Sequence, residues 1–153
     1  MTSMTSMTPR TLERSTVLAA TPDQVWAAIG DFGGLADWHP YIQPSTIEDD
    51  ADPGVPGAVR VFSVDGEIVA RERLVARDAD ARWYRYVLLA PVMLPVGEFV
   101  ATLAVHPHAD GAEVRWSADY QGADEVVPQV ESIFGDGTYG AGLDALRKRF
   151  SEG

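Results

Sequence analysis

A regular alternation of apolar and polar residues between Tyr41 and Gln121 constrains the fold of this chain more than any other feature. A period of two is typical of half-buried β-strands, because successive side chains of a strand point to opposite faces of a sheet. The dipeptide Asp65-Gly66 lies between the stretches AVRVFSV and EIVARERLVA and favours a tight hairpin turn. Four further segments carry turn signals: DADPGVPG, RDAD, APVMLPVG and HPHADG. Together with the hairpin turn they divide the region into six strands. We therefore expect a sheet whose strands follow one another as antiparallel neighbours.

Helical patterns flank this region on both sides. Before it, residues 11–19 have the pattern of a first strand, and Thr21, Pro22 and Gln24 form a helix-start signal with a capping box. From about Ala123 to the end of the chain, the apolar residues recur with helical spacing. The order is one strand, one or two short helices, six strands and a long C-terminal helix. It predicts an α+β fold, a curved antiparallel sheet with its helices on one face.

The composition of the 153-residue chain predicts a single domain over residues 10–153, preceded by a disordered tail at residues 1–9. The chain carries 23 acidic and 12 basic residues, and this net charge of −11 disfavours nucleic acids and anionic membranes as partners. No apolar run approaches the roughly 20 residues that span a bilayer. Since cysteine is absent, disulfides and thiol chemistry are excluded, and we expect a cytoplasmic protein.

Two motifs that resemble cofactor or metal sites are interpreted otherwise. The run from Gly135 to Gly140 fits G-x-G-x-x-G, but a dinucleotide site needs a preceding strand, and here the preceding segment is helical. We expect these glycines to let the helix approach the sheet or to leave volume for a ligand. His106 and His108 flank a turn proline without a third ligand nearby. We therefore expect no cofactor and no metal site.

Strand parity identifies the side chains that face the interior. In EIVARERLVA, Arg71, Arg73 and Arg77 are assigned to the solvent face, which places Glu72 among apolar side chains on the opposite face. A buried acid needs either a cationic partner or a functional reason. Two alternatives remain open: an ion pair with an arginine near the mouth, such as Arg82, or a desolvated carboxylate that takes part in proton transfer.

The same parity predicts the rest of the inner face. In AVRVFSV, an outward Arg60 leaves Ser63 facing inward. The inner face then carries hydroxyl and aromatic groups as well as aliphatic ones: Ser63, Ala70, Tyr84, Tyr86, Leu88, Trp116 and Tyr120. A purely structural core would use more Leu, Ile and Val, so this face indicates a cavity for a ligand.

The segments VWAAIGDFGGLADWHP, ERLVARD and VRWSADY, in that order and followed by a helix ending GLDALRKRF, resemble the START-related helix-grip (SRPBCC) superfamily. Residues 10–150 are most similar to its polyketide cyclase/dehydrase and lipid-transport group. The resemblance implies a curved seven-stranded sheet around a long C-terminal helix, two short helices after the first strand, and an internal apolar cavity. The superfamily includes cyclases, lyases, hormone receptors, carriers and co-chaperones, so the activity has to be argued from the site.

The segment DWHPYIQP at residues 37–44 contains the second candidate polar group, His39. In the plant abscisic-acid receptors of this fold, a pocket lysine follows the second short helix and a pocket glutamate opens an ERL strand, and His39 and Glu72 match these positions. Because Pro40 ends the helix, we expect the chain to turn at His39 and the ring to reach Glu72 across the cavity, directly or through one water. The alternative is a polar helix cap that bonds only to backbone.

The first functional hypothesis is a cofactor-free cyclase, dehydratase or lyase that acts on a hydrophobic, oxygenated small molecule such as a polyketide. His39 or Glu72 abstracts a proton, and the other group or a tyrosine hydroxyl, that of Tyr86, stabilises the oxyanion. The second hypothesis is a non-catalytic carrier or sensor of an apolar ligand. The third is a co-chaperone-like interaction domain with a filled interior.

The expected ligand contacts lie on the inner face, the short helices, one loop and the C-terminal helix: Trp38, Ser63, Ala70, Tyr84, Leu88, Met93, Phe99, Trp116, Tyr120, Phe134 and Thr138. Met93 belongs to the apolar loop at residues 90–97. This loop either covers the cavity mouth or forms an oligomer contact, such as that of a homodimer.

Overall fold

The computed structural model describes residues 7–90, 92 and 94–151. Seven strands form one antiparallel sheet in the order β1-β7-β6-β5-β4-β3-β2. The strands are β1 (Thr8–Leu18), β2 (Thr46–Ile47), β3 (Val59–Val64), β4 (Glu67–Asp78), β5 (Trp83–Leu89), β6 (Val100–His108) and β7 (Gly111–Gly122). Consecutive strands from β3 to β7 are neighbours, as the short turns between them require, and β1 closes one edge against β7.

The helices precede and follow the long run of strands. The first group is α1 (Pro22–Ile29), a 3₁₀ helix (Phe32–Asp37) and a 3₁₀ turn (Glu48–Asp50). The C-terminal helix, residues 124–151, consists of a 3₁₀ turn (Asp124–Val126), α2 (Val127–Val130), a π-helical segment (Glu131–Gly140) and α3 (Ala141–Ser151). We call Glu131–Gly140 the π segment. Within the described ranges, no helix has both the length and the apolar character needed to cross a membrane.

Helix α1 begins where the sequence predicts. The Thr21 hydroxyl accepts a hydrogen bond from the Gln24 backbone N–H at 3.1 Å, and the Gln24 side chain accepts one from the Thr21 N–H at 2.9 Å. This reciprocal capping box satisfies two of the N–H groups that a helix start leaves free. The buried side chains of Val25 and Ile29 then attach α1 to the core.

The core lies between the inner face of the sheet and the helices, and its fully buried members come from both: Leu12, Val25, Leu74, Leu103, Val114, Trp116, Val130 and Leu146. The π segment approaches β1 closely at Gly135. A Cβ atom there would lie 2.9 Å from Arg14 Cζ and 3.1 Å from Leu12 Cδ1. The predicted role of this glycine in helix–sheet approach is therefore confirmed.

The predicted α+β class, the seven strands and the long C-terminal helix are confirmed. Two strand boundaries differ from the prediction. Strand β1 starts at Thr8 rather than Thr11, inside the stretch assigned to the tail, and the rest of that assignment stays a prediction because residues 1–6 lie outside the described ranges. Strand β2 starts at Thr46 and not near Tyr41, because Pro44 has no N–H to give to a strand ladder.

The sequence parity is wrong for Arg60, and a β-bulge explains the error. The two-residue hairpin turn by itself pairs Arg60 with Arg71, which lies on the solvent face. A bulge in β4 opposite Phe62 and Ser63, where Val69 has no paired residue, shifts the register by one residue, so that Arg60 pairs with Glu72. Directly paired residues share one face of a sheet, and the Arg60 side chain is completely buried on the inner side.

A second irregularity changes the parity of Arg77. The register of β4 against β5 shifts between Leu74 and Ala76, after which Arg77 pairs with Tyr84. The Arg77 guanidinium therefore leaves the predicted solvent face. It donates to the Gly30 carbonyl at 3.1 and 3.2 Å and lies 5.3 Å from the centre of the Trp26 ring.

Candidate ligand-binding site

A pocket of about 560 Å³ opens between the inner face of the sheet and the π segment. This volume lies within the range of small-molecule sites. Most of the side chains that line it are apolar or aromatic, and few are polar: Leu35, Tyr41, Ile42, Gln43, Phe62, Ser63, Val64, Ile68, Val69, Ala70, Glu72, Tyr86, Leu88, Trp116, Phe134, Thr138 and Tyr139. The bulge in β4 accounts for two neighbours, Val69 and Ala70, both lining the pocket.

An ion pair lies at the wall of the pocket. Arg60 Nε donates to Glu72 Oε1 at 2.7 Å, and Arg60 Nη1 donates to the Phe32 carbonyl at 2.9 Å and to Tyr84 Oη at 3.3 Å. The guanidinium carbon also lies 4.2 Å from the Phe32 ring centre and 4.5 Å from that of Tyr86. Burial alone lowers the pKa of Arg60, but the attraction of Glu72 and the two tyrosines outweighs it, and the net pKa is raised.

The partner expected for Glu72 from the sequence, Arg82, is wrong. Arg82 bonds to Asp23 at 2.7 Å on the outside of the molecule, and the bulge in β4 brings Glu72 to Arg60 instead. Only one carboxylate oxygen of Glu72 is engaged. No donor among the described residues bonds to Oε2, and the side chain keeps 13% of its surface exposed where it lines the pocket. Of the two alternatives for Glu72, the structure shows the ion pair, with Arg60 as the arginine, and a part in proton transfer stays a prediction.

Two tyrosines bring hydroxyl groups to the inner part of the pocket. Tyr86 Oη accepts a hydrogen bond from Trp116 Nε1 at 3.0 Å. Tyr139 stacks on the same indole, with ring centres 4.4 Å apart and planes 14° from parallel. Burial raises the pKa of both phenols above the usual value, so both stay protonated at neutral pH and act as hydrogen-bond donors.

His39 is buried, but it does not form the predicted pair with Glu72. Its Nε2 lies 2.6 Å from the Thr138 carbonyl, and its Nδ1 accepts the Tyr41 backbone N–H at 3.1 Å. Because Nδ1 accepts, the proton of the neutral ring is on Nε2, and neither nitrogen is left for a carboxylate. Burial lowers the pKa of His39, and the bond to Thr138 opposes part of that shift. The alternative of a polar cap bonded to backbone describes this residue.

The corner around His39 is tightly packed. A Cβ atom on Gly142 of α3 would lie 2.8 Å from His39 Cδ2, 3.0 Å from Trp38 Cζ3 and 3.2 Å from Trp116 Cζ3. Trp38 is 6% exposed, and its ring centre lies 5.5 Å from that of Trp116. The missing side chain of Gly142 therefore lets α3 pass directly over these three rings.

The structure brings together at the pocket about half of the predicted ligand contacts: Ser63, Ala70, Leu88, Trp116, Phe134 and Thr138, together with Glu72 and Tyr86. Others are elsewhere in the core. Trp38 packs behind Trp116, and Tyr84 packs against Phe32 and bonds to Arg60. Ligand binding by these lining residues stays a prediction.

Two further predicted contacts, Phe99 and Tyr120, do not line the described pocket. Phe99 and Tyr120 stack on each other at 5.4 Å, and Phe99 contacts Phe134 at 4.8 Å, so this pair packs behind the lining instead of forming it. Met93 lies outside the described residues. The described neighbour Leu94 is buried in the core, and the role of loop 90–97 at the mouth or in a dimer stays a prediction.

Sequence reasoning missed two residues that define the site. Tyr139 lies in GDGTYG. Neither the glycines of this segment nor the α-helical period predicts that its tyrosine faces the pocket, which it lines. Strand parity places Arg60 outside because a lone arginine in a strand usually faces water. No group of three or more His, Asp or Glu side chains in the described part of the chain is arranged to hold a metal ion.

Comparison with solved structures supports the fold. A protein from Thermobifida fusca, solved by NMR in solution, is 37% identical with a TM-score of 0.84, and the match covers 92% of this chain and 93% of that one. The protein XoxI from Bacillus cereus is 27% identical with a TM-score of 0.72, covering 95% and 97%. Norcoclaurine synthase from Thalictrum flavum is 23% identical with a TM-score of 0.71, covering 97% and 90%, a similarity that shows the fold alone.

Comparison with curated proteins found no match. A family model described as polyketide cyclase/dehydrase and lipid transport matches residues 9–151, nearly the whole chain, and agrees with the architecture above. On this basis the chain belongs to the polyketide cyclase/dehydrase and lipid-transport family.

Proposed function

We propose that this protein binds a hydrophobic, oxygenated small molecule in the pocket between the sheet and the π segment. The apolar lining excludes water from most of the ligand surface and supplies the driving force for binding. Four side chains at the pocket are exposed although they are apolar or aromatic, which gives the ligand an apolar entrance: Tyr41 (78%), Val64 (51%), Ile68 (50%) and Val69 (43%).

The free oxygen of Glu72 is the observation that carries the proposal. Oε1 bonds to Arg60, and no described residue donates to Oε2. A carboxylate oxygen at an apolar wall accepts a hydrogen bond readily. The hydroxyl group of a ligand can donate that hydrogen bond inside the pocket, away from bulk water. Because the Arg60 guanidinium is buried behind the Glu72 carboxylate, it does not block the side of the carboxylate that faces the pocket. Glu72 therefore selects ligands that carry a hydroxyl group.

A matched pair of probes tests this selection. 2-Naphthol and 2-methylnaphthalene have the same shape, but only the first can donate to Glu72. We expect titration calorimetry to give a preference of about tenfold or more for the naphthol, since hydrogen bonds to charged groups contribute about 1.5–3 kcal/mol. Glu72→Gln should reduce that preference, and Ser63→Ala, at the same pocket, should keep it.

Loss of the Glu72 charge leaves the buried Arg60 without its countercharge, so the single variant needs a companion. The double variant Arg60→Met/Glu72→Gln carries no buried charge and should fold, bind both naphthalenes and discriminate weakly between them. Absence of binding of either probe to the folded wild-type protein would refute the proposed function. Equal binding of both probes to the wild type would refute only the role of Glu72.

A second candidate function is catalysis, and the unpaired Oε2 of Glu72 also supports it. In a cofactor-free cyclase or dehydratase, Oε2 removes a proton from the carbon beside a carbonyl. The C–H electron pair then forms the enolate double bond, and the negative charge moves to the carbonyl oxygen. The Tyr86 hydroxyl, whose oxygen accepts from Trp116, can donate its own proton to that oxygen. His39 has no part in this scheme because both its nitrogens bond to backbone.

Isotope exchange distinguishes catalysis from binding alone. The acetyl protons of 2-acetylnaphthalene exchange very slowly in neutral deuterium oxide, and NMR follows their loss. Under the catalytic hypothesis the protein accelerates this exchange, and the Arg60→Met/Glu72→Gln variant loses about 10²–10⁴-fold of the rate, the usual contribution of one general base. Binding of the ketone without accelerated exchange would favour a carrier or sensor.

A further inference from the structure

The described contacts of the C-terminal helix with the pocket all come from the π segment. Phe134, Thr138 and Tyr139 line the pocket, and Phe134 and Tyr139 are five positions apart. On an α-helix, residues five apart diverge by about 140° around the axis, so they do not face the same pocket. The wider winding of i→i+5 hydrogen bonds brings such residues towards one side. The π segment thus presents Tyr139 to the pocket together with Phe134.

Two hydrogen bonds hold this winding in place beside Tyr139. Ala141 N–H bonds to the Asp136 carbonyl, five residues earlier, and the Thr138 hydroxyl donates to the Ile133 carbonyl at 3.2 Å. The Thr138 carbonyl in turn accepts from His39 Nε2 at 2.6 Å. His39 is therefore a positioning residue, because it fixes the peptide that immediately precedes Tyr139.

The Tyr139 hydroxyl makes no hydrogen bond within the described part of the folded protein. The residue is 1% exposed, its ring is held against Trp116, and its oxygen has no hydrogen-bond partner among the described residues. A buried hydroxyl without a partner is unfavourable and uncommon, since most buried polar groups are bonded. Because Tyr139 lines the pocket, a molecule bound there is the partner that this hydroxyl can gain.

The neighbouring Tyr86 limits what such a molecule can offer. The Tyr86 oxygen already accepts from Trp116, so its remaining capacity is that of a donor, and no described residue accepts its proton. The Tyr86 and Tyr139 hydroxyls also interact with each other. A hydrogen bond between them would use only one of their two protons, so at least one phenolic O–H at the pocket is left without an acceptor in the described part of the chain. A ligand that satisfies it has to bring an acceptor oxygen, and a carbonyl oxygen has two lone pairs for this purpose.

We infer that Tyr139, supported by Tyr86, forms a carbonyl-binding subsite at the inner end of the pocket, and that the ligand is a hydrophobic ketone or aldehyde. This inference rests on the proposed function and specifies the ligand of the same pocket. Together with the acceptor oxygen of Glu72, it selects compounds that carry a carbonyl group and a separate hydroxyl group. Binding, and not chemistry, is the content of the inference.

A second matched pair of probes tests the subsite. 2-Acetylnaphthalene and 2-isopropenylnaphthalene differ only in a carbonyl oxygen replaced by a methylene group. We expect the wild-type protein to bind the ketone about three- to tenfold more tightly, the usual effect of one neutral hydrogen bond. Tyr139→Phe should remove this preference and leave the affinity for the hydrocarbon unchanged. Tyr120→Phe is the control, because its hydroxyl is also buried and unpartnered in the described structure but lies outside the pocket.

The infrared carbonyl band of bound 2-acetylnaphthalene gives a readout that altered packing alone does not move. The band should lie at lower wavenumber in the wild-type protein than in Tyr139→Phe, because donation to the oxygen weakens the C=O bond. An unchanged band and an unchanged preference in Tyr139→Phe would overturn the inference while the proposed function stands. Failure of the wild type to bind either probe would overturn both.

Discussion

Replacement of Arg60 by methionine tests whether the ion pair at the pocket wall is buried as described. The variant keeps an unbranched side chain of similar length, removes the cation and leaves the Glu72 carboxylate without a partner. Breaking a buried ion pair from one side destabilises a protein by about 3–5 kcal/mol. In a domain of this length, about 2–4 °C of Tm is lost per kcal/mol. Arg60→Met should therefore unfold about 6–20 °C earlier than the wild type.

The chain contains a matched control on the neighbouring strand. Arg71 bonds to Glu48 at 2.6 Å, almost the distance of the Arg60–Glu72 pair. The side chains of Arg71 and Glu48 are 31% and 33% exposed, whereas those of Arg60 and Glu72 are 0% and 13% exposed. Solvent screens an exposed pair strongly, so Arg71→Met should lower Tm by much less than Arg60→Met. The same bond length in two environments isolates the effect of burial.

Thermal unfolding followed by circular dichroism, with urea unfolding for the free energies, measures both variants. The double variant Arg60→Met/Glu72→Leu removes both charges and should recover most of the lost stability. Equal, small losses for Arg60→Met and Arg71→Met would refute the reasoning, because they would mean that water reaches the Arg60 guanidinium. A double variant as unstable as Arg60→Met would show that packing, and not charge, accounts for the loss.

Three further predictions concern the helices and the corner at His39. Burial lowers the pKa of His39, so as the pH falls the imidazole is protonated in the unfolded chain before it is protonated in the folded one, and the free energy of unfolding should fall below about pH 6.5. Urea unfolding between pH 7.5 and 5.5 should show a smaller fall in His39→Gln than in the wild type. Equal slopes of the free energy of unfolding against pH in the two proteins would contradict this. Gly142→Ala places a Cβ atom 2.8 Å from His39 Cδ2 and 3.0 Å from Trp38 Cζ3, which should cost about 1–3 kcal/mol in urea unfolding, whereas a neutral result would mean that α3 moves away freely. Thr21→Ala removes the capping box and should cost about 1 kcal/mol by the same measurement, against no loss if α1 is held by packing alone.

The strand pattern predicts the fold well where the ladders are regular. Strand β7 has no register shift, and its inward residues Val114, Trp116, Ala118 and Tyr120 are all buried as the alternation requires. The prediction fails where β3 pairs with β4, since the inserted Val69 of β4 changes which residues of the two strands share a face. A bulge leaves no distinct pattern of residue types, so Arg60 appeared to be a solvent-facing residue.

The environment of His39 depends on contacts that local sequence does not contain. Pro40 predicts that the chain turns at this point, and it does. The partner of the ring is the carbonyl of Thr138, 99 positions later in the chain. A backbone carbonyl can belong to any residue type, so the sequence does not mark it as a partner, whereas Glu72 is a visible polar candidate across the cavity. The same limit applies to Tyr139, whose direction depends on i→i+5 bonds in place of the α-helical period.

The winding of the π segment also affects how this chain tolerates changes in length. A turn of i→i+5 bonds contains one residue more than the corresponding α-helical turn. Deletion of one residue between Glu131 and Gly140 can therefore be absorbed by conversion of that turn to α-helix, with α3 kept on its rings and the sheet undisturbed. The face turned to the pocket would nevertheless change, because Phe134 and Tyr139 would no longer lie on one side. A single-codon deletion thus offers a route to a new pocket shape on an unchanged scaffold.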